Sequence, residues 1–477
     1  MKKLHLLKLS ALVLIVSILA SCGGNDDNYV PSSNCHLSSF HFTSVNSGIT
    51  GSTSGIISRE FAPDNLLGTT LVLITVPESC DLSGLKASFT IDDKATFYIN
   101  EAEQISGETA ANYTGLTKAK VVAEDGTSLN YEILVKKGDP VIDAKIYNLM
   151  KTYSIPGISV SVTKGDEIIY NYGYGFADVS KKEPVTPKHL FRLASISKQF
   201  TTLCIMKLYE ESKLNLDDKV FGTGGVLDQE FPGVTGNKAN VSIRNFLQHN
   251  SGWNLNPDPM FNSPYKDRSV DEQIIYMLNT NQATSVGSTY SYLNLGFGVL
   301  GKIIEKVSGK PYEEYLKEVM ALAGITDVHV GKTLAGKRSN ECIYYSQNGS
   351  NGYGNNMEAI AAAGGVIAST EEMMKLIVQI DGKGTDILKK ATIDELYTPS
   401  PNYSRYALGW RVGHTLYPGA HYHSGNLAGT ATIWCGDANS STSAAILMNS
   451  RSYISSPSGD FDDAYYILLG DVVAHFK

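Results

Sequence analysis

The chain has 477 residues, of which 42% are hydrophobic and 18% are charged. This length and balance indicate a globular protein of roughly two or three domains with a substantial core. The net charge is −8 and the sequence contains no block of basic residues. These properties argue against nucleic-acid binding and against attraction to an anionic membrane surface by charge.

The N-terminus has the pattern of an export signal. A basic start is followed by an apolar run to Ala20 and then by Ser21-Cys22. The stretch before Cys22 resembles a bacterial lipobox, which implies that residues 1–21 are a signal peptide and that Cys22 is lipidated after cleavage. The alternative is a simple membrane helix, but the apolar run is shorter than the ~20 residues that a span requires.

Residues 22–33 are predicted to form a flexible polar tether. Its acidic residues resemble the surface-export signal of Bacteroidota lipoproteins, and an ordinary solvated tether is the alternative. Signal and tether together predict an envelope protein anchored to the outer membrane by lipid, either periplasmic or surface-exposed.

Residues 34–137 are predicted to form a small all-β sandwich. Apolar residues such as Leu129 and Tyr131 alternate with polar ones, as in half-buried strands. Asp125-Gly126 lies between two such runs and predicts a hairpin turn. The pattern resembles the immunoglobulin-like modules that precede catalytic domains in Bacteroidota lipoproteins. We find no catalytic constellation here, so we expect a spacer, with glycan binding as the alternative.

The cysteines do not indicate a metal site. Cys35 and Cys80 both lie in the first folded region, and export would permit a disulfide between them, but the sequence leaves both outcomes open. Cys204, Cys342 and Cys435 lie in apolar contexts and are expected to be buried thiols.

Residues 138–477 are predicted to form a second domain. An amphipathic helix is expected over Asp139–Tyr153 and a last helix over 460–476, with strands early in the domain and again over 405–449. These elements would form an antiparallel sheet covered by helices. The region from about 200 to 400 would be mostly helical, and a ligand cleft would lie at the seam.

The candidate nucleophile is Ser195, three residues before Lys198 at the predicted start of a helix. Residues i and i+3 share a helix face, so the hydroxyl and the amine would point into the same space. A serine hydroxyl needs a base, and lysine is a base only when burial or nearby positive charge keeps it neutral. Spacing alone is weak evidence, because Ser-x-x-Lys occurs as Ser83/Lys86, Ser161/Lys164, Ser195/Lys198 and Ser263/Lys266.

The surroundings of Ser195 distinguish it from the other three serines. The chain contains, in order, Ile155-Pro156-Gly157, Gly173-Tyr174-Gly175-Phe176-Ala177, Phe191-Arg192-Leu193-Ala194-Ser195-Ile196-Ser197-Lys198, Leu247-Gln248-His249-Asn250-Ser251-Gly252, Tyr290-Ser291-Tyr292-Leu293-Asn294, Ala363-Gly364-Gly365, Leu408-Gly409-Trp410 and His423-Ser424-Gly425. This order resembles the serine β-lactamase and penicillin-binding-protein superfamily, in its class C β-lactamase and DD-peptidase/esterase branch. The resemblance implies a β-lactamase-like fold, with an α/β part and an all-α part, and acyl transfer through a serine ester without a cofactor.

The resemblance also implies roles for the second block. Tyr292 would move protons between the nucleophile and the leaving group, and Asn294 would orient the lysine and the substrate. A phenol has a pKa near 10, so it is useful as a proton shuttle only beside positive charge. Lys198 and a cation from the third block would supply that charge.

The third block is His423-Ser424-Gly425, on a strand predicted over Tyr422–Trp434. The resemblance implies that Ser424 and its neighbours line the site, and that the backbone N–H of Asn426 completes an oxyanion hole with that of Ser195. His423 and Gly425 would share one strand face and Ser424 would lie on the other.

His423 departs from the lysine that class C β-lactamases usually have, and resembles DD-peptidases, D-amino-acid amidases and esterases of the same branch. Histidine is only partly charged near neutral pH, so we expect it to hold a substrate carboxylate less firmly than lysine would. Efficient β-lactam hydrolysis is therefore not expected.

Several further residues receive structural interpretations. His421 shares a strand face with His423, but without a third ligand the pair does not predict a metal site. His249 is expected to be a satisfied core residue, and Gly364-Gly365 to permit close backbone approach. Packing or rim positions are expected for Trp253, Tyr406 and Trp410.

The sequence thus predicts a lipid-anchored serine hydrolase that acts on a D-peptide, an amide or a carboxylic ester through an acyl-serine. The alternatives are a β-lactam hydrolase and a non-catalytic binder of envelope peptides. The expected partners are a small-molecule or peptide substrate and, through the lipid, the membrane.

Overall fold

The computed structural model describes residues 30–63, 66–262, 264–383, 387–414, 419–437, 441–453 and 460–477. The predicted signal peptide, Cys22 and most of the predicted tether lie outside these residues. Within them, no helix combines the length and the apolar character needed to cross a membrane.

The N-terminal region is built from strands. Its sheets run in the order β2-β1-β5-β8 and β3-β4-β10-β9-β6-β7. Side chains of both sheets share one buried apolar cluster, which includes Phe40, Phe97 and Ile133, so the region is a two-sheet sandwich. The immunoglobulin-like assignment stays a prediction. The strands are β1 (Leu37–Thr43), β2 (Ser52–Ser54), β3 (Ile56–Ser58), β4 (Thr70–Val76), β5 (Leu85–Ile91), β6 (Thr96–Ile99), β7 (Ala102–Glu103), β8 (Ala110–Ala111), β9 (Leu116–Val122) and β10 (Ser128–Lys137).

The structure tests the predicted hairpin turn and decides whether Cys35 and Cys80 form a disulfide. β9 and β10 pair antiparallel with Val122 opposite Ser128, and Gly126 between them has φ +89°, so the predicted hairpin turn is present. Cys35 and Cys80 are both buried free thiols, so no disulfide joins them.

The second region begins with α1 and is organised around one antiparallel sheet, whose strand order is β13-β12-β11-β21-β20-β19-β18. Helices α1 (Pro140–Tyr153) and α9 (Phe461–Phe476) cover one face of this sheet, and α7 (Thr370–Ile377) packs on the other. The strands are β11 (Gly157–Lys164), β12 (Glu167–Asp178), β13 (Glu183–Pro184), β14 (Phe191–Arg192), β15 (His329–Val330), β16 (Tyr345–Ser346), β17 (Val366–Ala368), β18 (Arg411–Val412), β19 (Ala420–Leu427), β20 (Thr430–Asp437), β21 (Thr442–Met448) and β22 (Ser450–Arg451).

The helices confirm the predicted layering but not every predicted detail. Asp139 caps α1 by accepting hydrogen bonds from the N–H groups of Val141 and Ile142, at 2.9 and 3.1 Å. Between 200 and 400 the helices are separated by long irregular segments, so the prediction of a mostly helical region overstated their content. The helices are α1 (Pro140–Tyr153), α2 (Ser197–Glu210), α3 (Ile243–Leu247), α4 (Val270–Asn279), α5 (Asn294–Ser308), α6 (Tyr312–Ala321), α7 (Thr370–Ile377), α8 (Lys390–Tyr397) and α9 (Phe461–Phe476).

The prediction of one continuous strand over Tyr422–Trp434 is wrong. The segment is a hairpin of β19 and β20, in which Leu427 lies opposite Thr430. Gly429 provides the turn with φ +71°, a backbone conformation that glycine adopts without a steric penalty.

The two regions share buried apolar surface. Leu71 and Leu73 of β4 belong to the same hydrophobic cluster as Ile146 of α1 and Ile158 of β11. β10 ends at Lys137 and α1 begins at Pro140, but this shared cluster means that the region boundary is not a flexible junction. The division into domains at 137/138 stays a prediction.

A polar cluster crosses the same boundary. Asp143 of α1 is 0% exposed and accepts hydrogen bonds from Thr75 Oγ1 at 2.7 Å, from Tyr174 OH at 2.6 Å and from Tyr170 OH. Lys136 of β10 lies 3.5 Å from Asp143 Oδ2 and 3.4 Å from the centre of the Tyr174 ring. Burial lowers the pKa of Lys136 to about 7, and Asp143 opposes that shift.

Candidate active site

Ser195 lies between a short strand and a buried helix. β14 pairs with β17, and Ser195 follows it in a single 3-10 turn, Ala194–Ile196, that leads directly into α2. Ala194 has φ +49°, so the turn before the serine adopts the left-handed conformation that non-glycine residues rarely take. Ser195 is half-buried, which leaves its hydroxyl reachable.

Lys198 is held against Ser195 as the spacing predicted. Its Nζ donates to Ser195 Oγ at 3.2 Å and to the carbonyl of Ala363 at 2.6 Å. The side chain is completely buried, and burial lowers its pKa to about 7, while Asp258 raises it and Arg411 lowers it further. A substantial fraction of this amine is therefore neutral near pH 7 and can accept a proton.

The glycine-rich block supplies the carbonyl that Lys198 uses. Ala361–Gly365 is a short π-helical segment, and a Cβ on Gly365 would lie 2.9 Å from the carbonyl oxygen of Met357. The close backbone approach predicted here is confirmed at Gly365.

Tyr292 reaches Ser195 from the segment just before α5. Its ring centre lies 4.9 Å from Lys198 Nζ, and its hydroxyl is close enough to Ser195 for the serine hydroxyl to act on its pKa. Burial raises the pKa of Tyr292 to about 12, and the nearby Ser195 hydroxyl opposes that shift. The phenol therefore carries its proton at neutral pH, next to both the nucleophile and the amine.

Asn294 points to a residue that the sequence did not single out. Its Nδ2 donates to Asp258 Oδ2 at 2.7 Å, and Asp258 Oδ1 accepts from the N–H of Met260 at 3.0 Å. Because Asp258 also acts on the pKa of Lys198, it belongs to the surroundings of the catalytic cluster.

β19 packs directly on the turn that carries Ser195. A Cβ on Gly425 would lie 2.3 Å from the carbonyl oxygen of Leu193, so only glycine fits there. Thr432 of β20 donates to the same carbonyl at 2.9 Å. In a two-residue hairpin the flanking residues form a hydrogen-bonded pair and the pairs then alternate, so the N–H of Asn426 points away from β20 toward the open strand edge.

His423 and Ser424 face opposite sides of β19, as predicted. Ser424 Oγ accepts from Tyr466 OH at 2.7 Å, while His423 is buried against Tyr406 with Nε2 3.2 Å from the Tyr406 hydroxyl. The pKa of His423 lies well below its ordinary value because of burial and of the cations Arg411 and Lys198. The partial charge expected from sequence is thus corrected to a neutral ring near pH 7.

Two aromatic residues and a histidine predicted to pack do so. Trp253 and Trp410 are 0% exposed. His249 is buried too, and it accepts from the N–H of Leu293 at 3.0 Å and packs against the tilted ring of Tyr292 at 4.3 Å between ring centres. Tyr406 was also expected to pack, but its hydroxyl lies between two histidines.

The Ser83/Lys86 and Ser161/Lys164 pairs have no comparable surroundings among the described residues. Ser83 lies on the surface of the N-terminal sandwich, and Lys164 donates to the carbonyl of Phe476 at 3.1 Å. Ser263 lies outside the described residues. His421 stacks on Tyr397 at 3.8 Å, and the described residues contain no group of histidine, cysteine or carboxylate side chains that could hold a metal ion.

Comparison with known proteins agrees with this geometry. The family model described as Beta-lactamase matches residues 142–468, which is more than half of the chain. The chain belongs to the beta-lactamase family. The family resemblance stated from the sequence blocks is therefore confirmed, as is the fold.

Individual relatives of this beta-lactamase-family protein share at most about a third of their aligned residues with it in the comparisons below. A penicillin-binding protein of Bacillus subtilis (strain 168) is 33% identical over 180 residues, which are 36% of this chain and 37% of that protein. The chain thus matches little more than a third of the length of that curated relative. A solved class C beta-lactamase is 20% identical with a TM-score of 0.58, over 70% of this chain and 95% of that one. The octameric penicillin-binding protein homologue from Pyrococcus abyssi is 24% identical with a TM-score of 0.57, over 70% and 76% of the two chains. At these identities the structures show the shared fold.

Proposed function

We propose that this protein is an exported serine hydrolase that works through an acyl-serine on a D-peptide, an amide or a carboxylic ester. The observation that carries the proposal is the convergence of Ser195 with a buried amine of lowered pKa and with a half-buried phenol. Ser195 and Lys198 lie three residues apart, and Tyr292 comes from a distant segment of the chain. Acyl transfer through a serine requires this combination of nucleophile, base and proton donor.

In the proposed cycle, Lys198 and Tyr292 move the protons while the acyl-serine forms. Neutral Lys198 accepts the hydroxyl proton as Ser195 Oγ bonds to the substrate carbonyl carbon. The backbone N–H groups of Ser195 and Asn426 stabilise the oxyanion. Tyr292 gives a proton to the leaving group as the bond to carbon breaks, and the proton on Lys198 returns to Tyr292. Water then adds to the acyl-serine and releases the acid.

The pKa of Lys198 leads to a testable pH dependence. Below about 7 the amine is protonated and cannot act as a base, so the acylation rate should rise about tenfold per pH unit and then level off above pH 7. An ordinary lysine would delay the plateau to about pH 10. Single-turnover acylation by an ester between pH 5 and 9 measures this profile. A rate that still climbs tenfold per unit at pH 9 would contradict the assigned base.

Arg411 supports a substrate that carries a carboxylate. Its side chain is partly buried beside the site, its Nε has no hydrogen-bond partner among the described residues, and it acts on the pKa values of Lys198, Tyr292 and His423. Because His423 is neutral, Arg411 is the group we assign to a substrate carboxylate. A free C-terminal D-amino acid would place such a carboxylate near the scissile bond.

Changing Arg411 to alanine should therefore alter selectivity more than chemistry. We expect the preference for a D-peptide acid over its C-terminal amide, as a ratio of kcat/KM values, to fall about ten- to hundredfold, which is typical of a lost charge-assisted hydrogen bond. Arg405→Ala is the matched control, because Arg405 is an exposed arginine of the same segment. If the wild-type enzyme turns over the D-peptide acid and its C-terminal amide equally well, an ester is favoured as the natural substrate.

A panel of an ester, a D-peptide and a β-lactam on residues 34–477 tests the proposed activity. Turnover of the ester or the D-peptide with an acyl adduct on Ser195 is expected, with β-lactam hydrolysis slowest. Retained binding of envelope peptides without turnover of any substrate would instead favour the non-catalytic binder.

The proposed location rests on the sequence before residue 30. We propose that Cys22 carries a lipid that anchors the protein in the bacterial envelope. Metabolic labelling with a fatty acid should mark the wild-type chain, whereas Cys22→Ala should remain unlabelled and unprocessed. Labelling that survives the substitution would exclude this anchor.

A further inference from the structure

A chain of hydrogen bonds runs through the core behind the catalytic cluster. The N–H of Leu293 donates to His249 Nδ1 at 3.0 Å, and His249 Nε2 lies 3.1 Å from the hydroxyl of Tyr406. That hydroxyl lies 3.2 Å from His423 Nε2, and His423 Nδ1 lies 2.6 Å from the carbonyl of Ser424. His249, Tyr406 and His423 are each at most 1% exposed, so water does not compete for these bonds.

The two ends of the chain determine its direction. A backbone N–H can only donate, so His249 Nδ1 accepts and its proton must sit on Nε2. A carbonyl can only accept, so the proton of His423 must sit on Nδ1 and its Nε2 accepts. Tyr406 therefore accepts from His249 and donates to His423, and every member is satisfied once. This assignment requires both rings to be neutral.

The surroundings favour the neutral rings. Burial lowers the pKa of both histidines well below the ordinary value, and the cations Lys198 and Arg411 lower both further. The other titratable groups that face the chain are Tyr290 and Tyr292, whose burial raises their pKa, so they remain uncharged. No carboxylate is among these contacts of the described residues.

We propose that Tyr406 is a positioning residue that joins His249 and His423, in the tautomers that the backbone groups at the two ends require, and thereby aligns the two sides of the active site. One end of the chain is the backbone of Leu293, next to Tyr292. The other end is the carbonyl of Ser424, two residues before the Asn426 N–H assigned to the oxyanion hole. This role rests on the proposed function, but the tautomers can be measured without turnover.

Nitrogen-15 NMR of histidine-labelled wild-type protein, residues 34–477, tests the chain directly. We expect a proton on Nε2 of His249 and on Nδ1 of His423, with neither ring titrating between pH 5.5 and 8. Single histidine replacements assign the signals. The opposite tautomer at either ring, or titration of either ring in this range, would overturn the proposal whatever the enzymatic activity.

Tyr406→Phe removes only the bridging oxygen and leaves two buried nitrogens unpaired. We expect kcat to fall about tenfold or more with a smaller change in KM, together with altered nitrogen shifts of both histidines. Tyr113→Phe is the matched control, since Tyr113 is a buried tyrosine of the N-terminal sandwich; its kcat should match the wild type. Wild-type kcat and unchanged shifts in Tyr406→Phe would refute the positioning role. An inactive wild type that has the expected tautomers would refute the proposed function and leave the chain intact.

Discussion

Ser195→Ala is expected to lower kcat about 10⁶-fold, to near the background rate, as removal of a serine nucleophile does in other hydrolases. The hydroxyl oxygen is the atom that Lys198 contacts at 3.2 Å, and the same hydroxyl acts on the pKa of Tyr292, so the substitution removes the group that both residues serve. Alanine fits the half-buried position without new bulk. The loss should therefore appear in the rate of ester or peptide turnover and not in the free energy of unfolding.

The matched control is Ser83→Ala, which removes the serine of another Ser-x-x-Lys pair. Ser83 lies in the N-terminal sandwich and is exposed, so its substitution should leave kcat unchanged. An activity-based serine probe followed by peptide mapping adds a second readout. A probe adduct on a residue other than Ser195, or substantial turnover by Ser195→Ala, would show that the nucleophile was assigned wrongly.

Asp143→Ala is expected to lower the free energy of unfolding by about 3–5 kcal/mol, the range measured when one partner of a buried ion pair is removed. The substitution leaves Lys136 buried without its counter-ion and takes away the acceptor of Thr75, Tyr170 and Tyr174. These partners come from both the N-terminal sandwich and the sheet of the second region. Urea unfolding of residues 34–477 measures the loss.

Two variants separate the buried charge from other effects. Asp471→Ala removes a carboxylate 2.8 Å from Lys145, but both side chains are more than a third exposed, so the loss should be at most about 1 kcal/mol. The double variant Lys136→Met with Asp143→Leu removes both charges and should be more stable than Asp143→Ala. A loss below 1 kcal/mol in Asp143→Ala would mean that this cluster does not hold the two regions together.

The sequence of β4 indicates that the N-terminal sandwich packs against another part of the chain. β4 reads Thr-Leu-Val-Leu-Ile-Thr-Val, which is apolar on both faces. Val72 and Ile74 face the core of the sandwich, whereas Leu71 and Leu73 face α1 and the second region. A strand that is apolar on both faces is covered on both sides. The N-terminal sandwich therefore packs on the second region through one face of β4, and its role as a spacer stays a prediction.

Some residues around the candidate nucleophile can be recognised from nearby sequence, whereas others are brought there only by contacts between distant parts of the chain. Ser195 and Lys198 follow from a three-residue spacing on a helix, and Gly425 follows from the block that contains it. Arg411 directly follows the Leu408-Gly409-Trp410 block and Asp258 lies in none of the quoted blocks, and only the folded chain brings the two charges near enough to act on the pKa of Lys198.

By itself, the sequence determined the family, the antiparallel sheet with its helices, and the pairing of the candidate nucleophile with its neighbouring amine, because these depend on local spacing and on the order of short blocks. Only the tertiary structure decided the charge of His423, the hydrogen bonds of Tyr406 and the attachment of the N-terminal sandwich. Each of these depends on burial and on partners distant in the chain, since a pKa or a hydrogen-bond direction is set by everything that surrounds a group in three dimensions.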